Sequence, residues 1–298
     1  MSFNTLVAAL IGFGLFFAAI ALSTDNFMVF LSGASFILVV GGTFASTFIS
    51  YEFRYVIRAL GAIASTFAID RMGRTRLNAE VGRVIRWAYL VQSEGIVSLD
   101  KEVKKTPGWD GGFLRFGVEM ITTGYSGEEV KTILANVIES TYDRNMISAA
   151  ILRNMAGAAP AFGMVGTLIG LIIMLDKMGG DPNSLGLGLA IALVTTLYGI
   201  MLARLIFAPA ASKIQQREEI FRFRNYMIAE GLGMLADATS PRKIQDHMNS
   251  YLDPTVRYDI DRQLKKKAAA GKTDGKPAAG KPKAKAKPAK NKPTPASA

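Results

Sequence analysis

Cysteine is absent from all 298 residues, which excludes disulfides, thiolate catalysis and cysteine-ligated metals. Histidine occurs once, as His247 in a polar segment, so no zinc ligand set is expected. No phosphate-binding loop follows a strand-like run, and no nucleophile–base pair is in evidence, so the chain does not read as an enzyme. The long apolar stretches also lack Asp and Glu. A chain that moves ions across a bilayer by itself normally keeps an ionisable group there, because such groups are costly in hydrocarbon and retained for function.

Half of the residues are hydrophobic and the mean hydropathy is +0.23. The apolar residues gather into four blocks, Leu6 to Leu22, Phe27 to Ile49, about Gly157 to Leu175, and Leu185 to Phe207. At 1.5 Å of rise per residue, ~20 residues cross a ~30 Å hydrocarbon core, so the blocks read as four transmembrane helices. The first is the shortest. It lacks the positive n-region of a signal peptide and is followed closely by a second apolar block, which favours a span. Ser23–Asn26 and Gly179–Asn183 are short connections free of Lys and Arg, whereas Arg54, Arg58, Arg71, Arg74 and Arg76 follow the second block and Lys213, Arg217, Arg222 and Arg224 the fourth. Positive charge stays inside, which places residues 51–150, the C-terminal region and both termini in the cytoplasm.

The expected fold is an all-α membrane protein with a large helical cytoplasmic insertion between the second and third spans. Its segments are 1–50 (transmembrane helices 1 and 2), 51–150 (cytoplasmic helices), 151–208 (transmembrane helices 3 and 4), 209–254 (cytoplasmic helical extension) and 255–298 (basic tail). Within the insertion, Arg54 to Ala68, Leu77 to Gln92 and Glu128 to Met146 carry apolar residues at helical spacing. Much of the net charge of +11 lies in the last forty residues, where Lys, Ala, Pro and Gly dominate. Such a composition buries too little apolar surface to fold, so a disordered, solvated cytoplasmic tether is expected; electrostatic attraction to anionic lipid or nucleic acid is the alternative.

The third span holds Gly163, Gly166, Thr167 and Gly170 on one face, and the fourth holds Gly188, Ala192, Thr195, Thr196 and Gly199. Small residues let helix backbones approach closely, and threonines add polar contacts in a dry setting. Ordinary helix packing is one reading. The other is that two small, hydroxylated faces surround a partner helix and offer an ion a route. Pro160 and Pro209 stand near the cytoplasmic ends of these spans and read first as helix boundaries.

Residues 159–171, Ala-Pro-Ala-Phe-Gly-Met-Val-Gly-Thr-Leu-Ile-Gly-Leu, resemble the third-helix signature of flagellar stator A subunits of the MotA/PomA type, and Val194-Thr195-Thr196-Leu197-Tyr198-Gly199 with Pro209 resembles the fourth. The resemblance spans roughly residues 1–253. It implies a homopentamer around the single transmembrane helices of two B subunits, each supplying the ion-carrying Asp and a periplasmic peptidoglycan-binding domain, in the bacterial inner membrane. It further implies Thr167, Thr195 and Thr196 along the ion pathway, Pro160 and Pro209 as coupling prolines, and no cofactor besides the transported sodium ion or proton. Threonine at 167 tilts the ion towards sodium. Gly163, Gly166, Gly170 and Gly199 serve helix packing.

The resemblance also implies a rotor switch-complex protein as partner. The family's torque stretch places an Arg eight residues before a Glu with a Gly between them. Here Gly95 and Asp100 fit, but Gln92 holds the Arg position. Arg86, Glu94 and Lys101 complete the candidate rotor patch; without the family they read as a solvated helix face. Lipid and a B-type subunit are expected partners, nucleic acid is not. The alternatives are an energiser of the ExbB/TolQ type driving a non-flagellar process, and a non-conducting scaffold.

Overall fold

The structure is a computed structural model that describes residues 3–66, 74–104, 112–176 and 182–259. Among them every regular element is helical. The run Trp109-Asp110-Gly111-Gly112 predicts a turn, which lies outside the described residues apart from Gly112; so do the second short connection, apart from Pro182 and Asn183, and the chain from Ile260 onwards.

Helix α1 (Phe3–Ser23) leads into a short 3₁₀ turn, Phe27–Phe30, capped by the Asn26 side chain, which accepts from the Met28 N–H at 3.2 Å. Ser32 then opens a fresh helix by accepting from the Ser35 N–H at 3.3 Å. The block from Phe27 to Ile49 is therefore not one helix. Two capping side chains within its first turns break it, and α2 runs over 33–50 with a π-helical turn at Ile37–Gly41. Three stretches, Phe27–Ser50, Gly127–Asp176 and Gly188–Ala236, have the length and apolarity to cross a membrane, and Leu10–Ser23 is a shorter apolar helix.

The insertion between the second and third apolar blocks begins with α3 (Phe53–Thr66), α4 (Arg74–Glu94), α5 (Ser98–Lys104) and α6 (Phe113–Thr123). Gly95 ends α4 and turns the chain into α5 at φ +81, and Gly124 ends α6 at φ +97, left-handed conformations that a side chain would strain. The insertion closes without a break into the third span. Helix α7 runs from Gly127 to Asp176, fifty residues or about 75 Å. A capping box starts it: Ser126 N–H donates to the Glu129 carboxylate at 2.9 Å while the Glu129 N–H reaches the Ser126 hydroxyl at 3.4 Å.

After the connection, α8 runs over 182–236, again uninterrupted, with a π-helical turn at Leu202–Phe207. No helix end marks positions 150 or 208; the polar segments on both sides continue the apolar ones as single helices. Helix α9 (Pro241–Ser250) and a 3₁₀ turn, Pro254–Val256, finish the described chain.

The two long helices pack antiparallel along their length. At one end the Gly127 N–H donates to Asp237 at 2.8 Å; at the other Gly170 lies against Gly188. Around this pair sit two apolar centres. One joins α3, α7 and α8 through Ala59, Ile151, Leu152, Met155, Ala159, Phe207 and Ala211. The second buries Val84 and Ile85 of α4, Leu114 and Ile121 of α6, Leu134 of α7, Leu232 of α8 and Met248 of α9. Each such side chain contributes roughly 1.5–3 kcal/mol on burial, which holds the insertion onto the polar half of the long helices.

Candidate functional site

The α7–α8 contact is built from backbone. A Cβ on Gly170 would stand 2.7 Å from both the Ala192 nitrogen and the Gly188 carbonyl oxygen, and one on Gly199 would stand 2.6 Å from the Ala159 carbonyl oxygen. Gly163 faces the Thr195 carbonyl and the Thr196 Cα, and Gly166 faces the Thr195 side chain. Gly163, Gly166, Gly170 and Gly199 are all buried in this seam. Without glycine, the two backbones would have to separate.

The three threonines are not equivalent. Thr195 is fully buried against Gly166, with its hydroxyl 3.0 and 2.8 Å from the Ile191 and Ala192 carbonyls of its own helix. Thr167 is half-buried and donates to the Met164 carbonyl at 2.6 Å. Thr196 is half-buried too, but its hydroxyl lies 3.5 Å from the Gly163 carbonyl of α7 and 3.4 Å from the Ala192 carbonyl, at the outer limit of hydrogen bonding. Thr196 therefore sits beside α7 one turn from Thr167 with its oxygen weakly held, whereas Thr195 is committed to the seam.

Neither proline ends a helix. Pro160 lies inside α7 and withholds the donor that the Ala156 carbonyl would take, and Gly199 of α8 faces its Cα. Pro209 lies two residues past the end of the π-helical turn of α8, and widening that turn is how a helix continues past a residue without N–H. Both prolines adjoin the apolar centre that α3 shares with α7 and α8, through Ala159 and Ala210.

Outside the seam the spans expose large apolar side chains, among them Leu168, Ile172 and Leu175 of α7 and Leu193 and Ile200 of α8. Exposed apolar area on this scale in a lone chain marks surface covered by lipid or by other subunits. Tyr198 ties α8 to the chain before α2: its hydroxyl donates to the Phe30 carbonyl and accepts from the Ser32 N–H at 3.3 Å.

Arg86, Gln92, Glu94, Asp100 and Lys101 are all exposed, on α4 and α5 either side of the Gly95 turn, with Val97 78 % exposed among them. Among the described residues no group of three or more His, Asp and Glu is arranged to hold a metal.

Sequence reasoning missed several contacts. Glu80 of α4 pairs with Arg224 of α8 at 3.1 Å and with Arg83 at 3.0 Å, almost wholly buried. Glu139 of α7 accepts from Arg222 at 2.8 Å and from the Tyr226 hydroxyl, while the Arg222 guanidinium lies 4.7 Å over the Tyr142 ring. The Tyr226 hydrogen bond, with Arg222 beside it, holds the Glu139 carboxyl below the usual range and pushes the Tyr226 phenol up. Charge spacing alone does not tell a buried pair from a solvated one. The capping box at Ser126–Glu129 was readable as an S-x-x-E motif.

Two long antiparallel helices joined by a glycine seam, whose apolar stretches 157–175 and 185–207 contain no Asp or Glu and which are prolonged into further helical segments, define a polytopic membrane protein. A family model described as the MotA/TolQ/ExbB proton channel family matches residues 106–227. The chain is 30% identical over 240 residues to motility protein A of Cereibacter sphaeroides, covering 80% of this chain and 89% of that one. It is 27% identical to the chemotaxis protein PomA of Vibrio alginolyticus, over 88% of this chain and all of that one. The structure resembles the flagellar MotAB stator complex from Bacillus subtilis with a TM-score of 0.74 at 22% identity, covering 89% of this chain and 98% of that chain. The chain belongs to the MotA/TolQ/ExbB proton channel family, on its motility protein A (MotA/PomA) side, and is a channel-family protein, not an enzyme.

Proposed function

We propose that the chain is the A-type stator subunit of a bacterial flagellar motor, converting cation flow into torque for motility. Its relatives in Cereibacter sphaeroides and Vibrio alginolyticus carry motility and chemotaxis names, and the fold is that of a MotAB stator chain. The observation that carries the reading is the α7–α8 seam, where Thr167 and Thr196 stand half-exposed beside a span free of carboxylates. An Asp must then come from another chain, a B-type subunit whose single helix lies against these faces.

In this reading α1 is a fourth span, both termini are cytoplasmic, and the subunit assembles in the inner membrane as a pentamer around a B dimer. A cation binds the partner's Asp from the periplasm and passes the hydroxyls of Thr167 and Thr196. Neutralising that Asp changes how the partner helix packs on the glycine-rich faces. Pro160 and Pro209, at the junction of the spans with α3, carry the change to α4 and α5, where Arg86, Gln92, Glu94, Asp100 and Lys101 meet the rotor switch-complex protein. Sodium is favoured over the proton because a hydroxyl at 167 offers a metal cation an oxygen ligand.

A second reading, an energiser of a non-flagellar process, is favoured by Gln92, which lacks the cation of the usual torque contact. The experiment that separates them is swimming speed against external sodium in a strain whose only stator is this chain with its neighbouring B-type subunit. Sodium-dependent swimming lost in Thr167→Ala supports the sodium motor, and sodium-independent swimming assigns the proton. No swimming with an assembled complex assigns the energiser.

A further inference from the structure

Helix α1 stands off from α8 over most of its length. Between the α1 face from Phe13 to Ile20 and the α8 face from Leu197 to Ile206 lies a cleft of about 390 Å³, to which the 3₁₀ turn adds Phe27 and Phe30. The helices approach each other where Leu205 reaches Gly12, at 3.6 Å from where a Cβ would be. Phe36 completes the wall, edge-on to Tyr198 with ring centroids 6.4 Å apart.

Water has no footing in this cleft. The volume is that of about thirteen waters, and each would need two to four polar partners. Among the described residues Tyr198 supplies the only side-chain oxygen or nitrogen on the walls, and its hydroxyl is already shared between the Phe30 carbonyl and the Ser32 N–H. Left empty, the walls would forgo their dispersion contacts on one side.

The rim continues the bilayer-facing surface. Phe17, Leu31 and Phe36 are each more than half exposed, and so is Ile37 beside Phe36, so the cleft runs without a polar break into the apolar surface of α2. Its section decides the occupant. Leu197 to Ile206 is roughly 14 Å along α8, so the cleft averages roughly 30 Å² in section. A helix of a second copy, about 10 Å across, needs roughly 80 Å². A polymethylene chain, whose contacts lie at about 4 Å, needs roughly 20 Å² and fits.

We propose that the cleft between α1 and α8 seats one acyl chain of a membrane phospholipid. The inference rests on α1 crossing the bilayer, as proposed above. Tyr198 belongs to the turn of α8 that carries Thr196 and Gly199, so the seated chain bears on the same turn as the glycine seam. Recognition is through hydrocarbon alone, so the seat is indifferent to headgroup charge.

Tryptophan quenching by phosphatidylcholine with brominated acyl chains tests the seat on the assembled complex in detergent. Met201→Trp places a probe in the cleft, and Leu15→Trp places one on an exposed position of α1. The parent chain, whose two tryptophans lie outside the apolar blocks, gives the baseline. Met201→Trp should reach half-maximal quenching at a several-fold lower ratio of lipid to chain than Leu15→Trp. Leu197→Trp should follow it, which guards against one substitution disturbing the fold. Equal half-points overturn the seat, because the cleft then fills only as the open surface does. Quenching of Leu15→Trp with none in the cleft also overturns it and assigns the space to a second copy of the chain. Absence of quenching at Leu15→Trp overturns the fourth span on which the proposal rests, so seat and span fail separately.

Discussion

Glu80 and Arg224 meet at 3.1 Å across α4 and α8 with side chains only 3 % and 1 % exposed. The pair joins the helix that carries Arg86 and Gln92 to the helix that carries Thr196. Taking two charges out of water is expensive, and leaving one alone there is more so. Glu80→Met strips Arg224 and Arg83 of their shared carboxylate and should cost about 3–5 kcal/mol. Arg224→Met leaves Glu80 with Arg83 at 3.0 Å and should cost less. The double variant should recover much of the Glu80→Met loss, read from thermal melts of the detergent-solubilised protein.

The glycine seam yields a contrast within one helix. Gly170→Ala puts a methyl group 2.7 Å from α8 backbone atoms, so the helices must separate and ion flow and swimming should be lost. Gly157→Ala meets nothing within 4 Å and should be neutral or stabilising by about 0.5–1 kcal/mol, because Gly is costly within a helix. Unimpaired swimming in Gly170→Ala would show that the seam tolerates widening.

The adjacent threonines should behave differently. Thr195→Val keeps the packing against Gly166 and deletes a hydroxyl already satisfied by its own helix, so conductance should change little. Thr196→Val removes the weakly held oxygen beside Gly163 and should reduce conductance about tenfold or more, as expected for a lost cation or hydrogen-bond contact of about 1.5 kcal/mol. Sodium-driven currents in vesicles test the pair.

Tyr226 sets two edges of the pH–stability profile. Its hydroxyl depresses the Glu139 carboxyl, so that contribution is present above the ordinary Glu value of about 4.3 and is lost as pH falls through the lower folded value. The same bond raises the Tyr226 phenol, so its contribution is present below about pH 10 and is lost as pH rises through the higher folded value. Tyr226→Phe should therefore flatten both the acid and the alkaline limb of melting temperature against pH. Glu139→Gln should flatten the acid limb, since it removes the titrating carboxylate while leaving an amide oxygen that can still accept from Tyr226.

The seat of Tyr258 on α4 is open to proteolytic test. Gly82→Val drives a side chain into the Tyr258 ring, so trypsin should cut after the exposed Arg257 several-fold faster than in the parent chain. An unchanged cleavage rate would mean that the ring is not what seats this segment.

Much of this was legible from composition and period. Four apolar blocks set the membrane class, and the placement of glycine in 163–170 and 188–199 marked a close helix pair, because only small residues permit backbone contact and their spacing of three and four follows the helical turn. Gly95 reads only as part of the torque stretch; that it ends α4 in the left-handed conformation is seen in the structure. What period did not reveal was continuity. Pro160 and Pro209 read as boundaries because proline removes a donor, yet a π-helical turn in α8 and tertiary packing around Ala159 and Ala210 carry both helices through.

By itself, then, the sequence determined which segments seek hydrocarbon, which face of each long helix is small enough to touch another, and where positive charge accumulates, since these follow from residue type and local spacing. Only the tertiary structure decided that Thr195 is spent on packing while Thr196 keeps its oxygen near α7, that Glu80 is buried with Arg224, and that Tyr258 closes onto Gly82. Each depends on which partner a side chain finds 30 to 180 positions away, and no local pattern encodes that distance.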